Sequence, residues 1–271
     1  MIVISIKFKI LVTAHQMIKF LIKFPIFKRL IPSIYKKYIF MSKNFFKMKK
    51  IDGIEYKLDT RHLVDRNFYL RENYEDELFF WAINLINSNK INIFLDIGSC
   101  WGIYSLRLSK IKKLKIFSFD PIITNIKRLD EMIKINRIKN IRTFNTALGN
   151  KKGQVKFYGL EDFTPNFTLY KKGNEKKISI CEIDKLDNIM KIKNNYLYLK
   201  VDIEGSEYPF LIGAINILKK NNVIIQIEIF KKNKDKIFKF LKKNNFKYIF
   251  DGRGDYIFSN FKIKKPPKIS F

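Results

Sequence analysis

Hydrophobic positions follow two different periods along this chain. Before residue 50, Met17, Phe20, Leu21, Phe24, Phe27 and Ile31 recur at helical spacing, with Lys19 and Lys23 on the opposite side. Pro25 and Pro32 cut that amphipathic stretch into short pieces. From about residue 90, short apolar runs alternate with helical stretches. The runs 91–97, 114–119, 141–145, 196–203 and 223–230 read as strands, and 103–111, 122–135, 207–219 and 231–243 as helices. Strands over 154–158 and 177–183 flank a loop rich in Gly, Asn and Lys. A closing antiparallel pair is predicted over 246–250 and 256–259, around Gly252 and Gly254. Strands alternating with helices predict an α/β protein with a doubly wound, mostly parallel sheet. The division expected is an N-terminal extension over 1–50, one domain over 51–260 and a basic tail over 261–271, with Pro266-Pro267, read as loose.

Composition narrows the picture. The chain has 271 residues, and 46% are apolar, enough for a packed core and too many for wholesale disorder. Two cysteines cannot build a disulfide scaffold, and two histidines exclude a His-based zinc site. The net charge of +29 suggests an anionic partner. However, Lys, Ile and Asn fill about two-fifths of the chain, a bias that an AT-rich genome spreads over every surface. The bulk of the charge is therefore read as compositional. Residues 1–50 stand apart, with twelve Lys and Arg and no acid before Asp52. Lysines interrupt every long apolar run there, so neither a spanning helix nor a cleavable signal peptide is expected, and a cytoplasmic location follows. The pattern suits an anionic membrane surface. The alternatives are packing on the domain, or upstream sequence ahead of a start at Met17 or Met41.

In doubly wound sheets, ligand sites lie outside the carboxyl ends of the strands. The first strand ends in Asp96-Ile-Gly98-Ser-Cys100-Trp-Gly102. Gly98 and Gly102 flank a tight turn into a helix. The dinucleotide fingerprint needs a glycine where Cys100 stands. The acid at Asp96 repels pyrophosphate and suits a cationic ligand, which favours S-adenosylmethionine over NAD. The second strand ends at Asp120-Pro121, 22 residues beyond Gly98, where an acid can bind ribose hydroxyls or cap the next helix. A later strand carries Lys200, Asp202 and Glu204, which period two places on one face. Ionisable groups on a buried strand are costly unless paired or functional. Glu228 ends the neighbouring strand.

The order of Asp96–Ser105, Phe119-Asp120-Pro121, Asn145–Gly149, Ile183–Leu186, Lys200-Val-Asp-Ile-Glu-Gly-Ser-Glu207 and Gly213-Ala214 resembles the FkbM family of S-adenosylmethionine-dependent methyltransferases. The resemblance spans about residues 75–250. It implies a Rossmann-like class I methyltransferase sheet and O-methylation of a hydroxyl on a glycan, lipid-linked sugar or natural product. Three positions depart from the family's usual pattern: Ser99-Cys100 stands for Ala-Asn, Asp120 for Glu, and Glu182-Ile-Asp184 for Thr-Leu-Asp.

On this reading Asp96, Gly98 and Gly102 serve the methionine portion of the cofactor, Asp120 its ribose, and Asn145 and Ala147 the adenine. Asp202 is the expected general base, with Glu204, Glu228 and Lys200 around it. A divalent cation held by the same oxygens is a weaker alternative, and no metal is assigned. Two rivals remain. An RNA-modifying enzyme is disfavoured because Phe and Lys are scattered rather than gathered into stacking platforms. A catalytically dead domain that binds membrane or a partner through residues 1–50 is disfavoured by the intact Asp96, Asp120 and Asp202.

If residues 1–50 meet a membrane, the full chain binds anionic vesicles at low salt and releases them as salt screens the charge. Deleting residues 1–40 abolishes the binding in a sedimentation assay. A full-length chain that ignores such vesicles at low salt removes this reading.

Overall fold

In a computed structural model the described residues are 45–159 and 176–264, with isolated positions between 21 and 43. The amphipathic stretch expected over 17–31 lies mostly outside them, as do the Gly-, Asn- and Lys-rich loop and the end of the tail. The chain divides into two compact units, Met1–Asp76 and Glu77–Phe271.

In the first unit, β1 (Phe46–Ile51) and β2 (Ile54–Asp59) form an antiparallel hairpin. Asp52 and Gly53, both at positive φ (48° and 77°), make the two-residue turn that matches the twist of the strands. This hairpin crosses the boundary expected at 50/51. Helix α1 (Leu63–Arg71) follows, and Phe68 meets Tyr56 edge to face at 5.0 Å.

The second unit takes up α2 (Asp76–Ser88) almost from its start. Its sheet has seven strands. In chain order they are β3 (Ile93–Ile97), β4 (Lys115–Phe119), β5 (Ile141–Phe144), β9 (Tyr196–Val201), β10 (Asn222–Glu228), β11 (Lys247–Gly252) and β12 (Asp255–Ser259). Helices α3 (Ile103–Leu108) and α4 (Ile123–Ile135) follow β3 and β4, and α8 (Lys234–Lys243) follows β10. The helix expected over 207–219 is two, α6 (Glu207–Gly213) and α7 (Ile215–Lys220), broken at Ala214. The small strands β6 (Ala147–Leu148), β7 (Gly153–Gly159) and β8 (Lys176–Asp184) form a separate sheet, and α5 (Leu186–Ile189) leads back to β9.

The spatial order is β11-β12-β10-β9-β3-β4-β5. Strands β10, β9, β3, β4 and β5 run parallel. The closing pair is antiparallel, as expected, but β12 inserts between β10 and β11, and it alone opposes both neighbours. From β3 the chain proceeds to β4 on one side and later returns to β9 on the other. The topological switch point therefore lies between β3 and β9, where ligands bind in such sheets. The start of the tail is tied down, since Lys264 N–H donates to Asn89 Oδ1 at 2.7 Å.

One sheet face is apolar through its centre. Ile93, Leu95 and Ile97 of β3 lie beside Leu197, Leu199 and Val201 of β9 and Val223, Ile225 and Ile227 of β10, all in one buried cluster. The opposite face carries a buried polar row. Register sets Ser118, Asp96, Lys200 and Gln226 side by side across four strands.

Two glycines are fixed by close backbone approach. A Cβ on Gly98 would lie 1.9 Å from the Asp202 carbonyl oxygen, and one on Gly213 would lie 1.8 Å from the Gly149 carbonyl oxygen. Gly213→Ala therefore forces backbone apart between α6 and the β6–β7 loop. We expect a loss of about 3 kcal/mol or more, at or beyond the upper range for overpacking, read as a lower urea midpoint.

Candidate functional site

The carboxyl end of β3 runs into the turn Gly98–Gly102. Gly98 at φ 80° and Cys100 at φ 50° curl the chain back. The N–H groups of Gly98 and Ser99 donate to the Phe119 carbonyl at 2.9 and 3.0 Å, which clamps the turn to the end of β4. On the other side, Asp202 N–H donates to the Ile97 carbonyl at 3.0 Å. Gly98 is thus required by the approach of the protein's own Asp202 backbone. Gly102, at φ 81°, packs on Leu129.

Asp96 sits beneath this turn, buried. Its Oδ2 accepts from Ser105 Oγ at 2.5 Å, and Ser105 Oγ lies 2.7 Å from Ser118 Oγ. Burial pushes the Asp96 carboxyl up to about 6, although the Ser105 hydrogen bond and the Lys200 charge oppose the shift. Asp120 is also buried and is pushed up to about 7 by burial, against the hydrogen bonds it accepts. Its Oδ1 accepts from Ile122 N–H at 2.9 Å and Asn125 Nδ2 at 3.0 Å, and its Oδ2 from Cys100 N–H at 2.8 Å. Asp120 therefore ties the turn after β3 to the start of α4. A carboxylate offers about four acceptor positions, so about one remains for a ligand.

Asn145 stands at the end of β5, exposed. Its Nδ2 donates to the carbonyls of Asp120 and Pro121, both at 3.0 Å, so this amide shapes the loop after β4. Ala147 is buried in β6 with Ile122, Phe157, Cys181 and Ile183. Asp184 Oδ1, just ahead of α5, accepts from Asn188 Nδ2 at 2.7 Å.

The third cluster belongs to β9 and β10. Lys200 Nζ donates to Asp202 Oδ2 at 2.9 Å. The lysine side chain is 7% exposed and that of the aspartate 30%. The ammonium also lies 4.9 Å from the centre of the Tyr104 ring. Burial works against the Asp202 charge, but the Lys200 charge and its hydrogen bond, with another from Glu228, hold this carboxyl below the ordinary range. Glu228 moves the other way, pushed up to about 8 by burial, by the Asp202 charge and by the hydrogen bond between them. Near neutrality one proton is shared by two carboxyls, and Asp202 carries the charge.

The period-two argument for Glu204 does not hold. β9 ends at Val201, and Glu204 enters a turn at φ 51° followed by Gly205 at 102°. Glu204 reaches the cluster through that turn and adds its charge to the field on Glu228. Glu207, entirely buried, accepts from Gly205 N–H at 2.8 Å and holds the same turn. Among the described residues, no group of three or more His, Cys, Asp and Glu side chains is placed to hold a metal ion.

Sequence reasoning did not single out Ser105, Ser118, Tyr198, Gln226 or Asp255. The available signal was polarity within apolar strands, as in Ile224-Ile-Gln226-Ile227.

A Rossmann-like sheet with a glycine turn at its switch point and acids at the ends of β3, β4 and β9 defines a methyltransferase of the α/β class. The methyltransferase FkbM domain profile matches residues 96–248, more than half of the chain. The chain belongs to the FkbM methyltransferase family. Among solved structures, the FkbM methyltransferase of Methylobacillus flagellatus KT is 17% identical with a TM-score of 0.46, over 71% of this chain and 52% of that one. TYW2 of M. jannaschii, in complex with AdoMet, is 13% identical with a TM-score of 0.43, over 79% and 84%. At these values the family match, not the structural likeness, carries the assignment. A 145-residue stretch is 32% identical to the periplasmic chaperone PpiD of Buchnera aphidicola subsp. Schizaphis graminum. That stretch is 52% of this chain, which spans about a fifth of the relative's length. No helix among the described residues is long and apolar enough to cross a membrane.

Lys200→Met leaves the Asp202 charge without its cation. We expect a loss of about 3 kcal/mol at pH 7, the lower end for a broken buried pair because Asp202 keeps some contact with water. Asp202 is held low in the fold, so the stabilisation is present above the unfolded value and fades as pH falls through the folded one. Urea midpoints of the two proteins should therefore converge below about pH 4.

Proposed function

We propose that this chain is an S-adenosylmethionine-dependent O-methyltransferase whose acceptor presents a hydroxyl, on a glycan, lipid-linked sugar or natural product. The observation that carries the reading is the ionised Asp202, held by Lys200 at the carboxyl edge of β9 beside the switch point. A hydroxyl is a weak nucleophile at neutral pH, and a positioned carboxylate helps by taking its proton.

The residues present fit the cofactor. Ser99 Oγ, in the turn after β3, is buried without a hydrogen-bond partner, an atom that a ligand's polar group would satisfy. Gly98, Ser99 and Gly102 would border the methionine portion, and the buried Asp96 would favour its cationic end through its field. Asp120 would offer its remaining acceptor position to a ribose hydroxyl. The loop that Asn145 and Ala147 shape would border the adenine. S-adenosylmethionine supplies a methyl carbon on a sulfonium, which departs as a neutral thioether.

The protein's own work is proton handling. Asp202 Oδ1, the oxygen not bonded to Lys200, accepts the acceptor's proton as the hydroxyl oxygen gains its new carbon. Lys200 fixes the carboxylate. Glu228 holds its own proton toward Asp202 and so keeps a second negative charge out of the site.

Calorimetry with S-adenosylhomocysteine tests the cofactor reading, and Asp202→Asn tests the base. The variant keeps the side-chain shape. Methyl transfer to a hydroxyl acceptor should fall about 100- to 10,000-fold with cofactor affinity nearly unchanged. Normal turnover by the variant removes Asp202 from the mechanism, and tighter binding of NAD than of S-adenosylhomocysteine removes the whole reading.

A further inference from the structure

Glu228 does not meet Asp202 alone. The antiparallel register sets Asp255, the first residue of β12, directly across from Glu228. Asp255 is buried and belongs to a hydrogen-bond chain that crosses three strands. Tyr198 Oη donates to Gln226 Oε1 at 2.6 Å, and Gln226 Nε2 donates to Asp255 Oδ2 at 2.5 Å. All three side chains lie out of water.

The chain has a direction. Burial first, and the Asp255 charge second, hold the Tyr198 phenol well above its ordinary range, so Tyr198 keeps its proton and donates it. A donating phenol fixes the Gln226 amide with its oxygen toward Tyr198 and its nitrogen toward Asp255. The amide then presents a donor to Asp255, which favours the charged carboxylate there. That charge faces Glu228.

We propose that Asp255, oriented by Tyr198 through Gln226, is a positioning residue for the Asp202–Glu228 pair. Its charge adds to burial and to the Asp202 and Glu204 charges in favouring the arrangement in which Glu228 holds the shared proton and Asp202 is the open base. The inference rests on the proposed function only in giving that pair a task; the arrangement itself belongs to the folded chain. The charged groups facing Glu228 are Asp202 just after β9, with Lys200 behind it, Glu204 in the following turn and Asp255 on β12. Asp202 and Glu204 lie at the mouth of the site, where an acceptor would change their surroundings. Asp255, buried at the start of β12 inside the sheet, acts whether or not an acceptor is present.

The test is a titration of the full chain labelled with ¹³C at glutamate carboxyls, with the Glu228 signal identified by its loss in Glu228→Gln. In the unaltered chain the signal should titrate near 8. In Asp255→Asn, which keeps an oxygen for Gln226, the midpoint should fall by about one pH unit or more, the size of a nearby like-charge effect. Asp255→Glu should restore part of the shift. If Asp255→Asn does not fold, Tyr198→Phe frees the amide and should lower the midpoint in the same direction. A Glu228 midpoint in the ordinary carboxylate range in the unaltered chain overturns the proposal. So does a midpoint unmoved by whichever of the two variants folds. Calorimetry with S-adenosylhomocysteine on the unaltered chain separates the two readings, because failure there removes the cofactor reading and leaves the titration result standing.

Discussion

Everything at the switch point depends on keeping charge in a place with little water. Ser118, Asp96, Lys200 and Gln226 occupy one row of a sheet whose other face is solid Ile, Leu and Val. A lone carboxylate there would be too costly to ionise. Each acid reaches a different compromise. Asp96 receives one hydroxyl and the field of the Lys200 ammonium, and burial still pushes it up. Asp202 receives the ammonium itself and remains charged. Glu228 receives only like charges and retains its proton. Three carboxyls at the ends of three strands are thereby given three different protonation behaviours near neutrality.

Backbone contact holds this electrostatic arrangement in register. The turn after β3 is fastened to β4 by two N–H groups and to β9 by one, and the place of Gly98 leaves no room for a side chain. Asp120 fastens the same turn through Cys100. A shift of the turn would therefore disturb β4, β9 and the Asp202 backbone together. The candidate cofactor side and the candidate chemical side share one scaffold.

Much of this was legible in the chain. The apolar runs located every strand of the parallel sheet, and the acids at strand ends marked Asp96, Asp120, Asp202 and Glu228. Less legible were features set by neighbours distant in sequence. Alternation along β9 could not foresee the left-handed turn at Glu204, because Gly205 and the buried Glu207 impose it. The helix over 207–219 gave no sign of its break, since Gly213 must make room for the Gly149 carbonyl. The hairpin over 46–59 was signalled by Asp52-Gly53 but lay within a strongly basic stretch that drew attention to charge. Gln226 is a polar residue among isoleucines, and its meaning appears only when β12 brings Asp255 alongside.

The position of β12 has a consequence for how the protein is made. During synthesis β10 emerges before β11 and β12, and until β12 docks between them the hydrogen-bonding edge of β10 is bare. An open strand edge rich in isoleucine is a template for unwanted pairing, so a nascent or truncated chain that stops short of Asp255 is the aggregation-prone species. The same docking event delivers Asp255 to Glu228. Closure of the sheet and the placing of Asp255 beside Glu228 are therefore a single late step, and an incompletely folded chain lacks this neighbour of the Asp202–Glu228 pair.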